Sequence, residues 1–343
     1  MMQRHEFRTG PFTFEAGGSL DQVDVVYYTS PRPYKEGEKV IWINHALTAN
    51  ADPEDWWPEM VGEGMVIDPS VHYVVCVASL CSSYSLCGPA SINPSTGRPW
   101  LLDFPKTTIR DMAQMEILVR KHLGIASVDL LIGPSIGGFR AIEWCIMEPD
   151  VIRNAVFLAT EARVTPYLTA FNESQRMAIA TDPTFFEAKD VNGGAEGLKC
   201  ARSIALISYR SYGCYNDTQA EGDETLFAEK ACSYQRYQGE KLVRRHFDAY
   251  SYWYLTYAFD SMNPGRGRGG LEAALGRIKA SCTLIAVESD NIFPAKSVRG
   301  LMKMIPGSRY FEINSEYGHD GFLIESGQLA AVLSPIINAL WRE

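Results

Sequence analysis

Val128-Asp129-Leu130-Leu131-Ile132-Gly133-Pro134-Ser135-Ile136-Gly137-Gly138-Phe139-Arg140 is the stretch whose reading decides the fold. An apolar run of strand length feeds a turn that begins and ends in glycine, and an amphipathic run follows. The pattern is a strand, an elbow and a helix. A serine on such an elbow needs neighbours with almost no side chain, because the strand before it and the helix after it crowd together; Gly133, Gly137 and Gly138 meet that need. Ser135 then projects its hydroxyl from the sheet edge at a helix N-terminus. Glycine–serine–glycine spacing is common by itself, and its weight comes from lying between a strand and a helix.

Working outward, Thr107 to Leu123 carries apolar residues at helical spacing (Ile109, Met112, Met115, Ile117, Leu118) and leads directly into the elbow strand. Upstream, Val23 to Thr29, Lys39 to Asn44 and His72 to Ala78 read as strands, rich in β-branched and aromatic residues. Asp52 to Trp57 reads as a loop entering a short helix, and Ser79 to Pro105 as a long irregular segment of the kind that is often functional. Asn154 to Ala159 is another buried-strand run. From Glu161 the character changes to helical periodicity with many aromatics and almost no strand pattern. Strand signal returns at Ala280 to Glu288 and at Arg309 to Ile313. The order β-α-β-α predicts an α/β fold with a mostly parallel sheet and helices on both faces. Residues 1–160 and 276–343 are expected to form its core, with 161–275 an all-helical cap insertion.

The chain has 343 residues, 32 Lys plus Arg against 41 Asp plus Glu, and a formal net charge of −9. With its basic residues scattered, it is expected to bind no nucleic acid. The N-terminus lacks the apolar core of a signal peptide and no run of about 18 apolar residues occurs, so a cytoplasmic protein without a membrane partner is expected. Eight cysteines lie without a CxxC pair or a Cys/His cluster, which speaks against a metal site or a disulfide framework. Most are expected to be buried free thiols. Cys81 and Cys87, flanking a Gly/Ser-rich loop, are the two candidates for a reactive thiol.

A serine hydroxyl needs a base oriented by a carboxylate to become a nucleophile at neutral pH. In sheets of the α/β-hydrolase type the chain order is nucleophile, acid, histidine, each just beyond a strand. Two histidines follow Ser135. His246 falls inside the helical insertion and reads as solvated or structural, whereas His319 lies in a glycine-bracketed loop after the last strand and is the preferred base. Glu288 and Asp290 are both candidates for the acid; Asp290 is preferred because Glu288 falls within the strand pattern. The oxyanion hole needs two backbone N–H donors. Ile136 after the nucleophile and Leu47 in the loop leaving the Lys39 to Asn44 strand are the candidates, and His45 reads as a residue that orients this loop by bonding nearby backbone.

Many further pieces fall in one order: His45-Ala46-Leu47-Thr48, Trp56-Trp57, Gly88-Pro89-Ala90-Ser91-Ile92-Asn93-Pro94-Ser95-Thr96-Gly97-Arg98-Pro99, Thr108-Ile109-Arg110-Asp111-Met112, Tyr209-Arg210-Ser211, Arg236-Tyr237-Gln238-Gly239, Gly265-Arg266-Gly267-Arg268-Gly269-Gly270, Ser289-Asp290, Phe293-Pro294 and Tyr317-Gly318-His319-Asp320. Over nearly its whole length the chain resembles the homoserine O-acetyltransferase family of the α/β-hydrolase superfamily. The resemblance implies acyl transfer from acetyl-CoA, a co-substrate, to an amino acid's side-chain hydroxyl through an acyl-Ser135, with no permanently bound cofactor and no metal. By position it also implies that Arg210 pairs with the acceptor's carboxylate and Asp320 with its ammonium. From the residues alone, Arg210 reads as a structural salt bridge and Asp320 as a loop cap. The family's usual homodimer through the cap is expected too, with Tyr250 to Phe259 as an interface or a core face.

Four places depart from the family's usual pattern: Ala49 and Pro134 stand where glycine is usual, Phe139-Arg140 where Met-Gln is usual, and Tyr250 where Asn is common. They are expected near the acyl and acceptor pockets. They leave acetyl or succinyl donor, and homoserine or serine acceptor, open. An ester or amide hydrolase using the same three residues is the competing reading. A silent binding protein is a third, against which the retention of Ser135, Asp290 and His319 speaks.

Overall fold

The computed structural model describes residues 1–342. Its main sheet has eight strands in the spatial order Gln3–Arg8, Asp24–Thr29, Tyr73–Val77, Val40–Ile43, Leu130–Pro134, Asn154–Leu158, Ser281–Val287 and Arg309–Ile313. Gln3–Arg8 and Asp24–Thr29 pair antiparallel, and Asp24–Thr29 is antiparallel to Tyr73–Val77. Every other neighbouring pair in this sheet is parallel.

The three strands Val40–Ile43, Tyr73–Val77 and Leu130–Pro134 are buried at every position. A parallel sheet covered on both faces requires such continuous apolar runs. Their side chains alternate between two cores. Val40, Trp42, Val75 and Leu131 point into a large cluster with the helices Ile109–His122 and Ile136–Met147. Ile41, Ile43, Val74 and Ile132 point the other way, onto Trp57, Met60, Leu329 and Leu333, the last two from the closing helix Ser326–Arg342. This is the α/β architecture expected.

Gln3–Arg8 is a strand that its sequence, QRHEFR, does not announce. It is an edge strand, largely exposed, and its backbone partner Asp24–Thr29 supplies the pairing that its own apolarity does not. The segment from Ser79 to Pro105 is irregular apart from a ladder of Ile92–Asn93 with Arg98–Pro99 and a single turn at Leu101–Asp103.

Between the Asn154–Leu158 and Ser281–Val287 strands lie five longer helices, Pro166–Ala180, Ala195–Tyr209, Tyr212–Gln219, Lys230–Arg244 and Ala249–Asp260. Thr165, Ser211 and Asp248 cap three of them with side-chain oxygens on backbone N–H groups, and Pro166 occupies a first-turn position where no donor is lost. Helix Ala249–Asp260 is buried along most of its length, including Tyr250, Tyr252, Leu255 and Phe259. Of the two roles expected for this stretch, most of it takes that of a core face, with Tyr257 exposed. No single helix among the described residues is long and apolar enough to cross a membrane.

Candidate active site

Ser135 sits between its strand and its helix with φ 56° and ψ −125°, a conformation that strains a residue bearing a Cβ. The surrounding glycines show why the turn can be so tight. A Cβ on Gly133 would lie 2.4 Å from the Gly137 carbonyl oxygen, one on Gly137 would lie 2.1 Å from that of Asn44, and one on Gly138 would lie 2.4 Å from a Thr160 methyl. The helix is therefore pressed directly onto the ends of two neighbouring strands. The Ser135 amide donates to Leu158 O at 2.9 Å and fixes the elbow to the adjacent strand.

His319 reaches Ser135 from the loop beyond the last strand: its Nε2 accepts from Ser135 Oγ at 2.9 Å, and its Nδ1–H donates to Asp290 Oδ2 at 2.7 Å. The other Asp290 oxygen accepts the backbone N–H groups of Ile292 and Phe293 at 2.8 and 3.0 Å, so the carboxylate cannot turn away. All three side chains are buried. Burial pushes the His319 imidazolium down, but the Asp290 charge and hydrogen bond, with Asp320 behind them, outweigh it, and the net shift is upward from 6.5. The two competing candidates lie elsewhere in character: Glu288 and His246 are both exposed.

Among the described residues the amide N–H groups of Leu47 and Ile136 find no acceptor, which leaves both available to a ligand oxygen. The loop carrying Leu47 is held from below. Arg140, fully buried one helical turn beyond Ile136, donates to His45 O at 2.7 Å and to Glu116 Oε1 at 3.0 Å, while Trp42 Nε1–H donates to Glu116 Oε2 at 2.8 Å. His45 Nδ1–H donates to Ala46 O at 2.8 Å and its Nε2 accepts from Ser79 N–H at 3.0 Å. This bonding matches the orienting role expected of His45. Burial, with the Arg140 charge beside it, lowers the imidazole to about 3, so it stays neutral.

Arg210 and Asp320 are brought together, 3.2 Å apart and half-buried. Their approach follows from a contact between loops: Gly318, at φ +64°, is so close to the 209–211 segment that a Cβ would lie 2.5 Å from Tyr209 O and 2.7 Å from Ser211 N. Ser211 Oγ donates to Glu316 O across the same junction. Tyr209 adds a ring 5.8 Å from that of His319.

One expectation is corrected, and two positions are located more closely. Cys81 and Cys87 are buried, and burial raises both thiols, Cys87 to about 12, so neither is poised as a nucleophile. Arg140, expected near the acyl and acceptor pockets, is fully buried, its guanidinium beneath the Leu47 loop. Tyr250 is likewise packed into the helices, its ring stacked on Phe185 and its hydroxyl donating to Phe185 O at 2.6 Å.

The sequence reading missed Glu116 and Glu161. Glu116 sits amid the apolar positions of its helix, and a charge on that face was the available signal. Glu161 follows the Asn154–Leu158 strand; burial raises its carboxyl to about 7, with the Asp290 charge adding to the shift, and its Oε1 has no partner. It lines a cleft of about 1070 Å³, which is bounded also by Pro166, Asp260, Ser297 and Met304 and includes none of Ser135, Asp290 or His319. No cluster of His, Cys, Asp or Glu able to hold a metal ion occurs among the described residues.

A family model described as the alpha/beta hydrolase fold matches residues 93–326. The homoserine O-acetyltransferase of Cyclobacterium marinum is 40% identical over 321 residues, which cover 94% of this chain and 91% of the relative. Among solved structures, homoserine O-acetyltransferase from Bacillus anthracis superposes with a TM-score of 0.90 at 24% identity, covering 98% of each chain. Esterase E22 superposes with a TM-score of 0.88 at 21% identity, covering 98% of this chain and 100% of the other. A transferase and an esterase thus share this backbone, and the fold does not choose between their chemistries.

Proposed function

The chain belongs to the homoserine O-acetyltransferase family within the alpha/beta hydrolase fold, and we propose that it transfers an acetyl group from acetyl-CoA to the hydroxyl of L-homoserine by double displacement through Ser135. The observation that carries the mechanism is the continuous hydrogen-bonded line from Ser135 through His319 to Asp290. Ser135 Oγ attacks the thioester carbonyl and passes its proton to His319 Nε2, while the Leu47 and Ile136 N–H groups bind the oxyanion. The thiolate leaves with that proton. The acceptor's hydroxyl then gives its proton to His319 and attacks the acyl-serine, releasing the ester and restoring Ser135. Asp290 holds the ring and balances the imidazolium without taking the proton.

Arg210 and Asp320 support an amino-acid acceptor. Two opposite charges side by side match the carboxylate and ammonium that every α-amino acid carries on one carbon, and the guanidinium fork suits the carboxylate. A plain ester hydrolase has no use for such a pair. The helices of residues 161–275 form the cap that excludes water from the acyl-enzyme. A homodimer through this cap and a cytoplasmic location are part of the same reading; the exposed Tyr212, Leu226 and Phe227 support the dimer, which sedimentation velocity tests.

A mass-spectrometric product assay tests the activity, with acetyl-CoA or succinyl-CoA offered against L-homoserine, L-serine or no acceptor. O-acetylhomoserine should dominate, and Ser135→Ala should abolish it. Free acid alone in every tube would establish a hydrolase instead, and full transfer by Ser135→Ala would overturn the acyl-enzyme.

A further inference from the structure

We infer that the cleft between the Leu47 loop and the helices Ala195–Tyr209 and Lys230–Arg244 is the entrance for the acyl donor, and that Arg202 and Lys241 bind the phosphates of its nucleotide end. The inference rests on the proposed use of acetyl-CoA. The cleft has a volume of about 310 Å³ and is lined by Thr48, Trp56, Arg202, Lys241, Arg245 and Leu323. That is at the lower end of ligand-pocket sizes, so it suits part of a long donor.

Its position links it to the chemistry on two sides. Ala46 and Thr48, which bracket the Leu47 donor, form one wall. On the other, the Arg202 guanidinium lies 5.3 Å from the Tyr209 ring centroid, and that ring is the one 5.8 Å from His319. A ligand in this cleft therefore has its inner end beside the oxyanion loop and the imidazole.

Its charge is the reverse of the protein's. In a chain of net charge −9, the cleft gathers three cations and the single carboxylate of Asp55. Asp55 is taken by Arg245 at 2.9 Å. Nearby acids on the two helices are also engaged, Glu196 with Lys199 and Glu240 with Arg244. Among the described residues none pairs with Arg202 or Lys241. Gln238, Lys241 and Arg245 fall three and four residues apart, so one helical face turns its polar groups toward the cleft. Two uncompensated cations at a mouth that leads to a thioester site are suited to a diphosphate and a ribose phosphate. Homoserine carries no such charge, and its two ends are already matched by Arg210 and Asp320.

The test is calorimetric binding of CoA and of pantetheine, which lacks the nucleotide, to the wild type, Arg202→Gln, Lys241→Gln and the double variant. CoA affinity should fall on the order of tenfold for each cation removed and fall with added salt, while pantetheine affinity stays unchanged. Unchanged CoA affinity in the double variant, or an equal loss for pantetheine, would overturn the inference. The product assay runs alongside. Acetylhomoserine formed by a wild type whose double variant keeps full CoA affinity removes the cleft and leaves the activity standing. CoA bound through these cations without acetylhomoserine formation does the opposite.

Discussion

Replacing Arg140 with methionine keeps most of the side-chain volume and removes only the charge and its donors. In the wild type the guanidinium and Glu116 are both fully buried and 3.0 Å apart, and the same guanidinium holds His45 O at 2.7 Å. The variant leaves the Glu116 carboxyl with Trp42 Nε1–H as its remaining donor and strips the His45 carbonyl of its donor. Breaking a buried ion pair from one side costs about 3–5 kcal/mol. Burial, only partly offset by Arg140 and Trp42, already raises Glu116 from 4.5 to about 7. A carboxyl whose folded value is raised contributes stability below its unfolded value and loses it as pH rises through the folded one. Without Arg140 the value rises further, so the variant's deficit should be largest above pH 7 and shrink toward pH 4.5. Urea unfolding at pH 8 and pH 5 measures both terms. Because the His45 carbonyl belongs to the loop that presents Leu47, acyl transfer should also fall, by at most the 10²–10³-fold typical of a lost oxyanion donor. A deficit under about 1 kcal/mol at pH 8, or one independent of pH, would refute the assignment of an ion pair supporting that loop.

Asp290→Asn should cut acyl transfer by roughly 10⁴-fold. The neutral imidazole is the working form, and its value is raised, so wild-type kcat/KM should climb with pH through a limb above 6.5. Loss of the Asp290 charge should move that limb down; a pH–rate profile with an unmoved limb would contradict the pairing. Gly137→Ala drives a Cβ to 2.1 Å from Asn44 O, and backbone must shift; a destabilisation of about 1–3 kcal/mol with loss of transfer is expected, and thermal unfolding at the wild-type temperature would argue against the close approach. Thiol titration of the native protein should show two fast groups, Cys200 and Cys232, with the six buried cysteines reacting only after unfolding. A third fast thiol would place one of these six in solvent after all.

The sheet and the elbow were legible in the sequence because their causes are local. Parallel strands covered on both faces must be continuously apolar, and Val40–Ile43, Tyr73–Val77 and Leu130–Pro134 show it without any tertiary knowledge. The glycines around Ser135 are equally local, since they answer to a strand and a helix adjacent in the chain. Gln3–Arg8 escaped because an exposed edge strand is defined by the partner it pairs with.

The juxtapositions across the chain belong to the tertiary structure. Ser135 and His319 are 184 residues apart and meet only because the strands order them along one sheet edge. Between Glu288 and Asp290 the decision lies in where the Ser281–Val287 strand ends: the chain then turns Glu288 to solvent and buries Asp290 against two backbone amides. Arg140 shows the limit most clearly. Its sequence context marks a departure but says nothing of Glu116 on another helix or of the His45 carbonyl on a loop, because a buried charge is tolerated only where folding has delivered its partners.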